Sequence, residues 1–413
     1  MQIRLVLLIV GLLLISAVII IVATGTEGRS EPTGYIAPKV AVIDQSNDGW
    51  AKTALKRVTN PPLGLPAVPV PKSNQLTVEK IKLGRKLYFD RRLSHNDTMS
   101  CAMCHVPEQG FTNNELATSV GLEGRSIKRN APATFNVAYE PRMFHDGRDT
   151  SLETQILGPL LSPVEMANPS MGMVIEEIKG LKDYAGLFEA AFGEPPDIRN
   201  LGEALAGYQR TVLSGDAAFD RWRLAGKENA MSASAKRGFE LFKGKGQCVT
   251  CHVIEDDTAL FTDHGFHNTG IGYRSDVIEQ AREDKVAVEI APGLVVKVDR
   301  DAVNAVGEPH QKDLGRMEVT EVPADLYFFK TPGLRNVALT APYMHNGSLR
   351  TLDEVVRFYN KGGIANLGLS PSIKPLGLGD REITDLVAFL RSLTGSNVDE
   401  LIAEARSAAP DNY

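Results

Sequence analysis

Residues 101–105 read CAMCH, and residues 248–252 read CVTCH. Cys-x-x-Cys-His is the attachment signature of a c-type haem: the two thiols bond to the two vinyl groups of the porphyrin, and the histidine reaches the iron. All four cysteines of the chain belong to these motifs, namely Cys101, Cys104, Cys248 and Cys251. The sequence therefore predicts two covalently bound haem c groups, with His105 and His252 as the proximal iron ligands.

Two other uses of paired cysteines fit the spacing less well. A zinc site built from two Cys-x-x-Cys pairs usually holds them about 15–20 residues apart. Here the first cysteines of the two pairs are 147 positions apart (248 − 101). A thioredoxin-like redox motif needs no histidine directly after its second cysteine. Haem attachment uses every thiol, so neither a spare cysteine nor a disulfide framework remains.

The composition is that of an ordinary globular protein. The chain has 413 residues, of which 43% are hydrophobic and 23% are charged, and this length suggests two or three domains. The net charge of −6 gives no indication of nucleic-acid binding. A mildly acidic surface is compatible with docking of a basic redox partner.

The N-terminus carries an uncharged apolar run. Residues 5–23 read LVLLIVGLLLISAVIIIVA after Arg4, and 19 residues (23 − 5 + 1) suffice to span a bilayer as one helix. A cleaved signal peptide usually has a shorter apolar core and a small-x-small cleavage site. The sequence favours an uncleaved anchor over a cleaved signal. Either one exports the chain, as c-type haem requires in bacteria, so we predict a periplasmic protein, held at the inner membrane if uncleaved.

The rest of the chain is predicted to be mainly α-helical, with long loops. We divide it into an N-terminal anchor or signal (1–25), a proline-rich extended arm (26–75), a first haem domain (76–225), a second haem domain (226–400) and a tail (401–413). The two haem domains form a loose internal repeat, because in each a helix precedes the Cys-x-x-Cys-His motif.

A few segments have local sequence patterns that predict where helices begin or end and where strands form. A helix is predicted to start after Thr77, and residues 286–298 are predicted to form a short strand pair. Thr351 is predicted to cap a helix that ends near Gly362. Asp380 is predicted to cap the last helix. Trp222 is interpreted as a packing residue at the domain junction, with a redox-active surface site as the alternative if it is exposed.

Two such motifs about 150 residues apart, with FHDGR and PVEM after the first and LRNVALTAPYMHNG after the second, resemble the bacterial dihaem cytochrome c peroxidase family, including its MauG-like members. The resemblance covers about residues 60–400. It implies two cytochrome c-like domains that each bind one c-type haem, with hydrogen peroxide reduced at the first haem and electrons held at the second. It also implies a calcium ion between the domains, at positions matching Asn130, Thr340 and Pro342.

Within this resemblance, three positions define a subtype. The loop that carries an iron-blocking histidine in many members here reads TSVGL, with Leu122 in that place, so the first haem is expected to be open. Tyr359 stands where many members have a methionine ligand to the second haem. A phenolate would stabilise ferric iron, whereas a thioether favours ferrous iron. Packing within its helix is the alternative for Tyr359, and Met344 is the alternative ligand.

The third position is His145, where many members have a tryptophan that relays electrons between the haems. Imidazole is harder to oxidise than indole, so relay through His145 is in doubt; hydrogen bonding to haem propionates and a purely structural role are the alternatives.

Glu165 matches the acid above the first haem, and a carboxylate there can move the proton between the two peroxide oxygens. A solvated glutamate at a helix start is the alternative.

The sequence therefore predicts a dihaem peroxidase that takes electrons from a small c-type cytochrome or another redox protein, or from a side chain of a partner protein as in MauG-like chemistry. A dihaem electron-transfer cytochrome without peroxide chemistry is the alternative, with both irons six-coordinate. A third hypothesis is another haem-dependent oxidase that acts on a small molecule.

Overall fold

The computed structural model describes residues 49–278, 285–291, 294–299 and 312–407. The predicted anchor or signal at residues 5–23 lies outside these residues. Within the described part of the chain, no helix has both the length and the apolar character needed to cross a membrane.

The fold is mainly α-helical, as predicted, with long loops. The helices of the first half are α1 (Gly49–Thr59), α2 (Val78–Phe89), α3 (Cys101–Cys104), α4 (Leu152–Gln155), α5 (Leu157–Leu161), α6 (Met171–Gly180), α7 (Leu187–Phe192), α8 (Ile198–Gln209) and α9 (Ala218–Arg223). Those of the second half are α10 (Ala233–Lys243), α11 (Ile271–Tyr273), α12 (Met317–Thr320), α13 (Leu352–Asn360), α14 (Asp380–Arg391) and α15 (Val398–Arg406).

Two short antiparallel strand pairs accompany the helices. Strand β1 (Phe266–His267) pairs with β4 (Phe329–Lys330), and β2 (Lys285–Ala291) pairs with β3 (Leu294–Asp299). The second pair is the one predicted from the alternating apolar residues of this segment, and it is confirmed.

Two helix crossings of the same kind organise the fold. Helix α2 crosses α8 at Gly84, where a Cβ atom would lie 1.9 Å from the carbonyl oxygen of Ala204. Helix α10 crosses α14 at Gly238, where a Cβ atom would lie 1.9 Å from the carbonyl oxygen of Asp385. Only glycine allows the backbones to approach this closely. Each crossing brings the helix that precedes a Cys-x-x-Cys-His motif against a later helix.

Each crossing also sits in its own hydrophobic core. The first core contains Leu87 and Leu201, both fully buried, together with the C-terminal residues Leu401 and Ile402. The second core is a cluster of phenylalanines contributed by several elements, namely Phe219, Phe239, Phe242, Phe261 and Phe389. Burial of so many large apolar side chains is the main source of stability.

The internal repeat extends to the loops after the motifs. Asn136 and Asn336 both have a left-handed backbone conformation and both begin a short helical turn. Further along, isolated bridges join Met143 to Asp149 and Tyr343 to Leu349. The two loops therefore share one backbone design, although their sequences differ at most positions.

The predicted extended arm (26–75) and tail (401–413) each overlap a helix in the structure. The prediction of an extended arm is wrong at that helix. Residues Gly49–Thr59 form α1, which packs on α2, and the helix Val398–Arg406 packs into the first core. A buried ion pair ties them together, because Arg57 donates to the Glu404 carboxylate at 3.0 Å. The Arg85 guanidinium also donates to the Glu404 carbonyl at 2.7 Å. Helices α1 and α15 are thus held by contacts that sequence patterning does not reveal.

Most of the predicted helix ends are confirmed, and one predicted cap is wrong. Helix α2 begins at Val78 after Thr77, which caps it, and Thr351 accepts a hydrogen bond from the Glu354 N–H as predicted. Gly362 follows the end of α13 with the expected left-handed backbone. Asp380, however, is the first residue of α14 and not its cap, and α14 is followed by α15.

We predict that Gly84→Ala and Gly238→Ala each destabilise the fold by about 1–3 kcal/mol or more, since the new methyl group would overlap a backbone carbonyl oxygen. Urea unfolding of each variant measures this. Gly180→Ala is the matched control, because nothing lies within 4 Å of its Cβ position, and alanine favours a helix. Equal stability of G84A, G238A and G180A would contradict the close crossing.

Candidate haem-binding site

One cavity of about 1030 Å³ connects the two Cys-x-x-Cys-His motifs. It is lined by all six motif residues that were predicted to hold haem, namely Cys101, Cys104, His105, Cys248, Cys251 and His252. Its volume lies at the top of the ~300–1,000 Å³ range of small-molecule sites. A single space of this size suits two large flat groups placed close together.

The two motif histidines are oriented in the same way. His105 Nδ1 lies 3.4 Å from the Phe111 carbonyl oxygen, and His252 Nδ1 lies 2.8 Å from the Phe261 carbonyl oxygen. Both phenylalanines have a left-handed backbone, with φ of 55° and 58°. When Nδ1–H donates to the carbonyl, Nε2 is left as a free lone pair for a metal. Burial lowers the pKa of both imidazoles, so each stays neutral, as a ligand must.

None of the four motif cysteines forms a disulfide. Burial raises the pKa of Cys101 and Cys248 to about 12 and that of Cys104 to about 11. Buried, neutral thiols suit conversion to neutral thioethers, since no charge has to be accommodated in the apolar site. The thiols, the oriented imidazoles and the shared cavity together fit two covalently attached haem groups.

Glu165 lies at the end of the cavity that holds the first motif. Its carboxylate is close enough to Cys101 and Cys104 to raise their pKa values, and it also lines the cavity. Burial raises the pKa of Glu165 itself, and a hydrogen bond with Ser162 opposes this shift. A carboxyl group with a raised pKa that lines a cavity is suited to proton transfer.

Leu122 lies beside Glu165 but does not offer a ligand. Its N–H donates to the Glu165 carbonyl at 2.9 Å, and its side chain is buried in the first core at 6% exposure. The preceding Gly121 lies tight against the Val164 carbonyl, 2.0 Å from its Cβ position. These contacts join the backbone of the TSVGL loop to the segment that carries Glu165. The side chain of Leu122, in the place of the iron-blocking histidine, is a hydrocarbon.

Tyr359 and Met344, the two proposed ligands of the second haem, both line the cavity. Tyr359 belongs to α13, and burial together with the Cys251 and Cys248 thiols raises the pKa of its phenol well above the ordinary value. The tyrosine therefore lies at the second motif. Its hydroxyl makes no hydrogen bond to any described residue, which leaves the oxygen available to a group bound in the cavity.

His145 and His345 occupy equivalent places in the two repeated loops and are joined reciprocally. The Asn130 N–H donates to the His345 carbonyl at 2.7 Å, and the Lys330 N–H donates to the His145 carbonyl at 2.8 Å. His145 Nε2 lies 2.9 Å from the Asn130 carbonyl, and the His345 ring stacks on Phe329 at 3.5 Å. Burial lowers the pKa of His145 to about 4 and that of His345 to about 3. Both are neutral side chains that join the two halves.

A buried ion-pair network beside these histidines was missed from the sequence. Arg129 donates to both carboxylate oxygens of Asp313 at 2.7 Å and also pairs with Asp146 and Glu318. Arg129 lowers the pKa of Asp313 to about 2 despite burial. A bidentate arginine pair of this kind fixes geometry. Nothing in the spacing of these residues signals it, because they are brought together only by the fold.

The residues predicted to hold calcium, Asn130, Thr340 and Pro342, line the same cavity. The Asn130 side-chain amide donates to the Ala117 carbonyl at 2.9 Å, so its side-chain oxygen faces elsewhere. A side-chain oxygen and carbonyl oxygens are the donors that calcium prefers.

A further cluster near the second motif was also missed. Cys251, Asp263 and His267 each place a potential ligand atom within 4.8 Å of the others. His267 Nε2 lies 2.8 Å from the Asp263 carboxylate. Since Cys251 belongs to the haem motif, we interpret Asp263 and His267 as a polar pair beside the haem attachment point.

The comparisons with known proteins agree with this geometry. The family model for di-haem cytochrome c peroxidase matches residues 78–229. The chain is 40% identical to the methylamine utilization protein MauG of Methylorubrum extorquens over 79% of this chain and 81% of that protein. It is 38% identical to cytochrome-c peroxidase IdrP1 of Denitromonas iodatirespirans, over 81% of this chain and 86% of that one.

Solved structures give the same picture. A MauG-like protein associated with microbial copper homeostasis superposes with a TM-score of 0.66 and 30% identity, over 82% of this chain and 96% of that one. The diheme peroxidase BthA of Burkholderia thailandensis gives 0.62 and 27%, over 78% and 87%. Fold and site thus define a dihaem peroxidase. The chain belongs to the di-haem cytochrome c peroxidase family, holds two haem c groups and is a peroxidase-type oxidoreductase.

We predict that kcat/KM for peroxide falls as the pH drops through a pKa above the ordinary glutamate value of 4.5, because burial raises the pKa of Glu165 and the base form must accept the proton. Glu165→Gln should slow the reaction by about 10²–10⁴-fold and abolish this pH dependence. Glu177→Gln is the control, since Glu177 also has a raised pKa but is exposed on α6. An unchanged profile in E165Q would rule out this role.

Proposed function

We propose that the protein is an exported dihaem peroxidase in which hydrogen peroxide is reduced at the haem held by Cys101, Cys104 and His105. The second haem, held by Cys248, Cys251 and His252, would connect this site to the electron source. The observation that carries the proposal is the single cavity lined by both motifs, with Glu165 at the first motif and Tyr359 at the second.

The residues around the first motif support peroxide cleavage. Haem iron bound there would coordinate peroxide and supply electrons for breaking the O–O bond. Glu165 then accepts the proton from the near oxygen and returns it to the far oxygen, so that water can leave. Leu122 contributes no donor atom, so it would not compete with peroxide for iron held by His105. The surrounding apolar residues exclude water and strengthen the effect of the carboxylate.

Tyr359 would set the reduction potential of the second haem. Burial keeps its phenol protonated in the absence of a metal, and a metal ion at the oxygen would reverse this preference. A phenolate ligand stabilises ferric iron and lowers the potential. This haem would then be a poor store for an electron from an ordinary cytochrome, which favours a partner-protein side chain as the electron source. A Met344 ligand would instead favour a small c-type cytochrome.

A second candidate function is that of a dihaem cytochrome that only transfers electrons. It requires a side-chain ligand on both faces of each iron. Leu122, in the place of the blocking histidine, is held in the core, and the carboxyl group of Glu165 faces the cavity instead. An acid beside an open position serves proton transfer and has no use in a closed electron-transfer site, so this observation favours the peroxidase.

The location and the calcium ion are part of the proposal. Two c-type haem groups are attached outside the cytoplasm in bacteria, so we place the protein in the periplasm. The apolar run at residues 5–23 would hold it at the inner membrane if it is not cleaved. Asn130, Thr340 and Pro342 would bind a calcium ion between the two halves, where the reciprocal contacts of His145 and His345 already join them.

The test mixes the fully ferric protein with hydrogen peroxide and reduced cytochrome c, and follows oxidation of the cytochrome. We expect peroxide to be consumed without prior reduction and the haem spectrum to change, with slow cytochrome oxidation if Tyr359 is the ligand. Rapid turnover would point to a conventional peroxidase with a cytochrome donor. Absence of any reaction with peroxide would overturn the proposal and leave the electron-transfer cytochrome.

We also predict that Tyr359→Met raises the reduction potential of the second haem, because a thioether favours ferrous iron more than a phenolate does. Spectroelectrochemical titration measures the potential. Tyr343→Phe is the control: Tyr343 also lines the cavity, but its hydroxyl donates to the Val337 carbonyl at 3.0 Å. Equal potentials in the wild type, Y359M and Y343F would show that Tyr359 does not bind the iron.

A further inference from the structure

Trp222 lies where the second core reaches the surface. It is the fifth residue of α9 (Ala218–Arg223) and is partly exposed. Its indole packs edge-on against Phe239 at 5.5 Å and at a tilt against Phe219 at 6.4 Å, measured between ring centroids. The sequence interpretation as a packing residue is therefore incomplete, because one part of the ring is in the core and another part faces solvent.

A continuous row of aromatic rings leads from Trp222 to the second haem motif. Phe239 contacts Phe389 at 5.4 Å, Phe389 contacts Phe242 at 5.0 Å, and Phe242 lies 6.4 Å from the ring of His252. All three phenylalanines are buried. Electron tunnelling weakens steeply across gaps, so a closely packed row of rings couples its two ends better than a solvated route of the same length.

The indole N–H of Trp222 has a base beside it. Nε1 lies 3.3 Å from the Glu228 carboxylate, and Lys236 donates to the same carboxylate at 2.7 Å. The pKa of Glu228 is lowered, chiefly by this hydrogen bond from Lys236. Glu228 is therefore ionised at neutral pH. An indole that loses an electron becomes strongly acidic, and a carboxylate in hydrogen-bond range can take its proton.

The charged side chains around Trp222 include more cations than anions, although the chain as a whole carries −6. Arg221 and Lys236 have acidic partners, Asp216 and Glu228. Arg223 and Lys227 form no ion pair with any described residue. Unpaired cations raise the local potential, and local potential decides which partners approach a surface. An anionic molecule is therefore favoured here.

From these observations we propose that Trp222 is a surface redox site at which an anionic one-electron donor delivers electrons to the second haem. The proposal rests on the proposed peroxidase function and names the donor class that such a site would accept. Trp222 is partly exposed, whereas Trp50, the other tryptophan of the chain, is buried at 6% exposure beneath the Arg85 guanidinium.

The electron and proton movements balance. Reduction of one peroxide to two waters takes two electrons and two protons. For each electron, Trp222 gives one electron along the aromatic row toward His252 and its Nε1 proton to Glu228, leaving a neutral indole radical. The anionic donor then gives one electron to the radical, and the proton returns from Glu228. Trp222 and Glu228 are thereby restored, and the donor is oxidised by one electron.

The test uses the haem-loaded protein with hydrogen peroxide and ABTS, an anionic aromatic one-electron donor. Trp222→Phe keeps an aromatic ring but removes the oxidisable indole, and Trp50→Phe is the matched control. We expect W222F to lower the rate of ABTS oxidation at least about tenfold and W50F to leave it within about twofold. Peroxide binding at the first haem, followed by its absorption spectrum, should be unchanged in both variants.

A second measurement does not depend on turnover. Treatment of the wild-type protein with peroxide and no donor should leave an oxygen atom added to Trp222, detected by peptide mass spectrometry, and should leave Trp50 unmodified. ABTS present during the treatment should protect Trp222. Glu228→Gln should slow ABTS oxidation as well, because the proton acceptor is lost while the ring remains.

The outcomes separate this proposal from the peroxidase function. A wild-type protein that does not react with peroxide overturns the proposed function itself. A wild-type protein that oxidises ABTS, with W222F equally fast and Trp222 free of added oxygen, overturns the redox role of Trp222 and leaves the peroxidase standing. Oxidation of both tryptophans to the same extent would show nonspecific damage by peroxide, and would also overturn the proposal.

Discussion

An imidazole can bind iron only if one ring nitrogen is held in the right direction with its lone pair free, and this requirement shapes both halves of the molecule. In each half the other ring nitrogen donates a hydrogen bond to a backbone carbonyl oxygen, that of Phe111 in the first half and that of Phe261 in the second. Both residues adopt a left-handed backbone that bulky side chains avoid. The surrounding core holds that conformation because both phenyl rings are fully buried.

The same backbone design, used twice, gives two sites with different chemistry. Glycine crossings, repeated loops and reciprocal hydrogen bonds make the halves equivalent in geometry. The residues that project toward the cavity differ: Glu165 belongs to the first half, and Tyr359 to α13 in the second. In the proposed function, the acid near the first motif would move protons and the phenol near the second would control the haem potential. The duplicated backbone design with divergent side chains would then separate the two roles.

The junction between the halves combines neutral and charged contacts. His145 and His345 are neutral there, since burial lowers both pKa values, while Arg129 is fully paired with carboxylates. A neutral imidazole at His145 cannot give up an electron readily, so this position is suited to holding the loops together. The partly exposed Trp222 lies elsewhere, packed against Phe239 at the edge of the second core.

The sequence by itself determined the haem attachment residues, the mainly helical class, helix α2 and the β2–β3 pair, because covalent chemistry and local periodicity are written in consecutive residues. It did not determine α1, the packing of α15 or the Arg129 network, because these depend on residues far apart in the chain, such as Arg57 with Glu404. Proline content suggested an extended arm, and tertiary burial of α1 overrode that local signal. Only the tertiary structure decided that Glu165, Tyr359 and both motifs face one cavity, since that requires the two halves to be packed together.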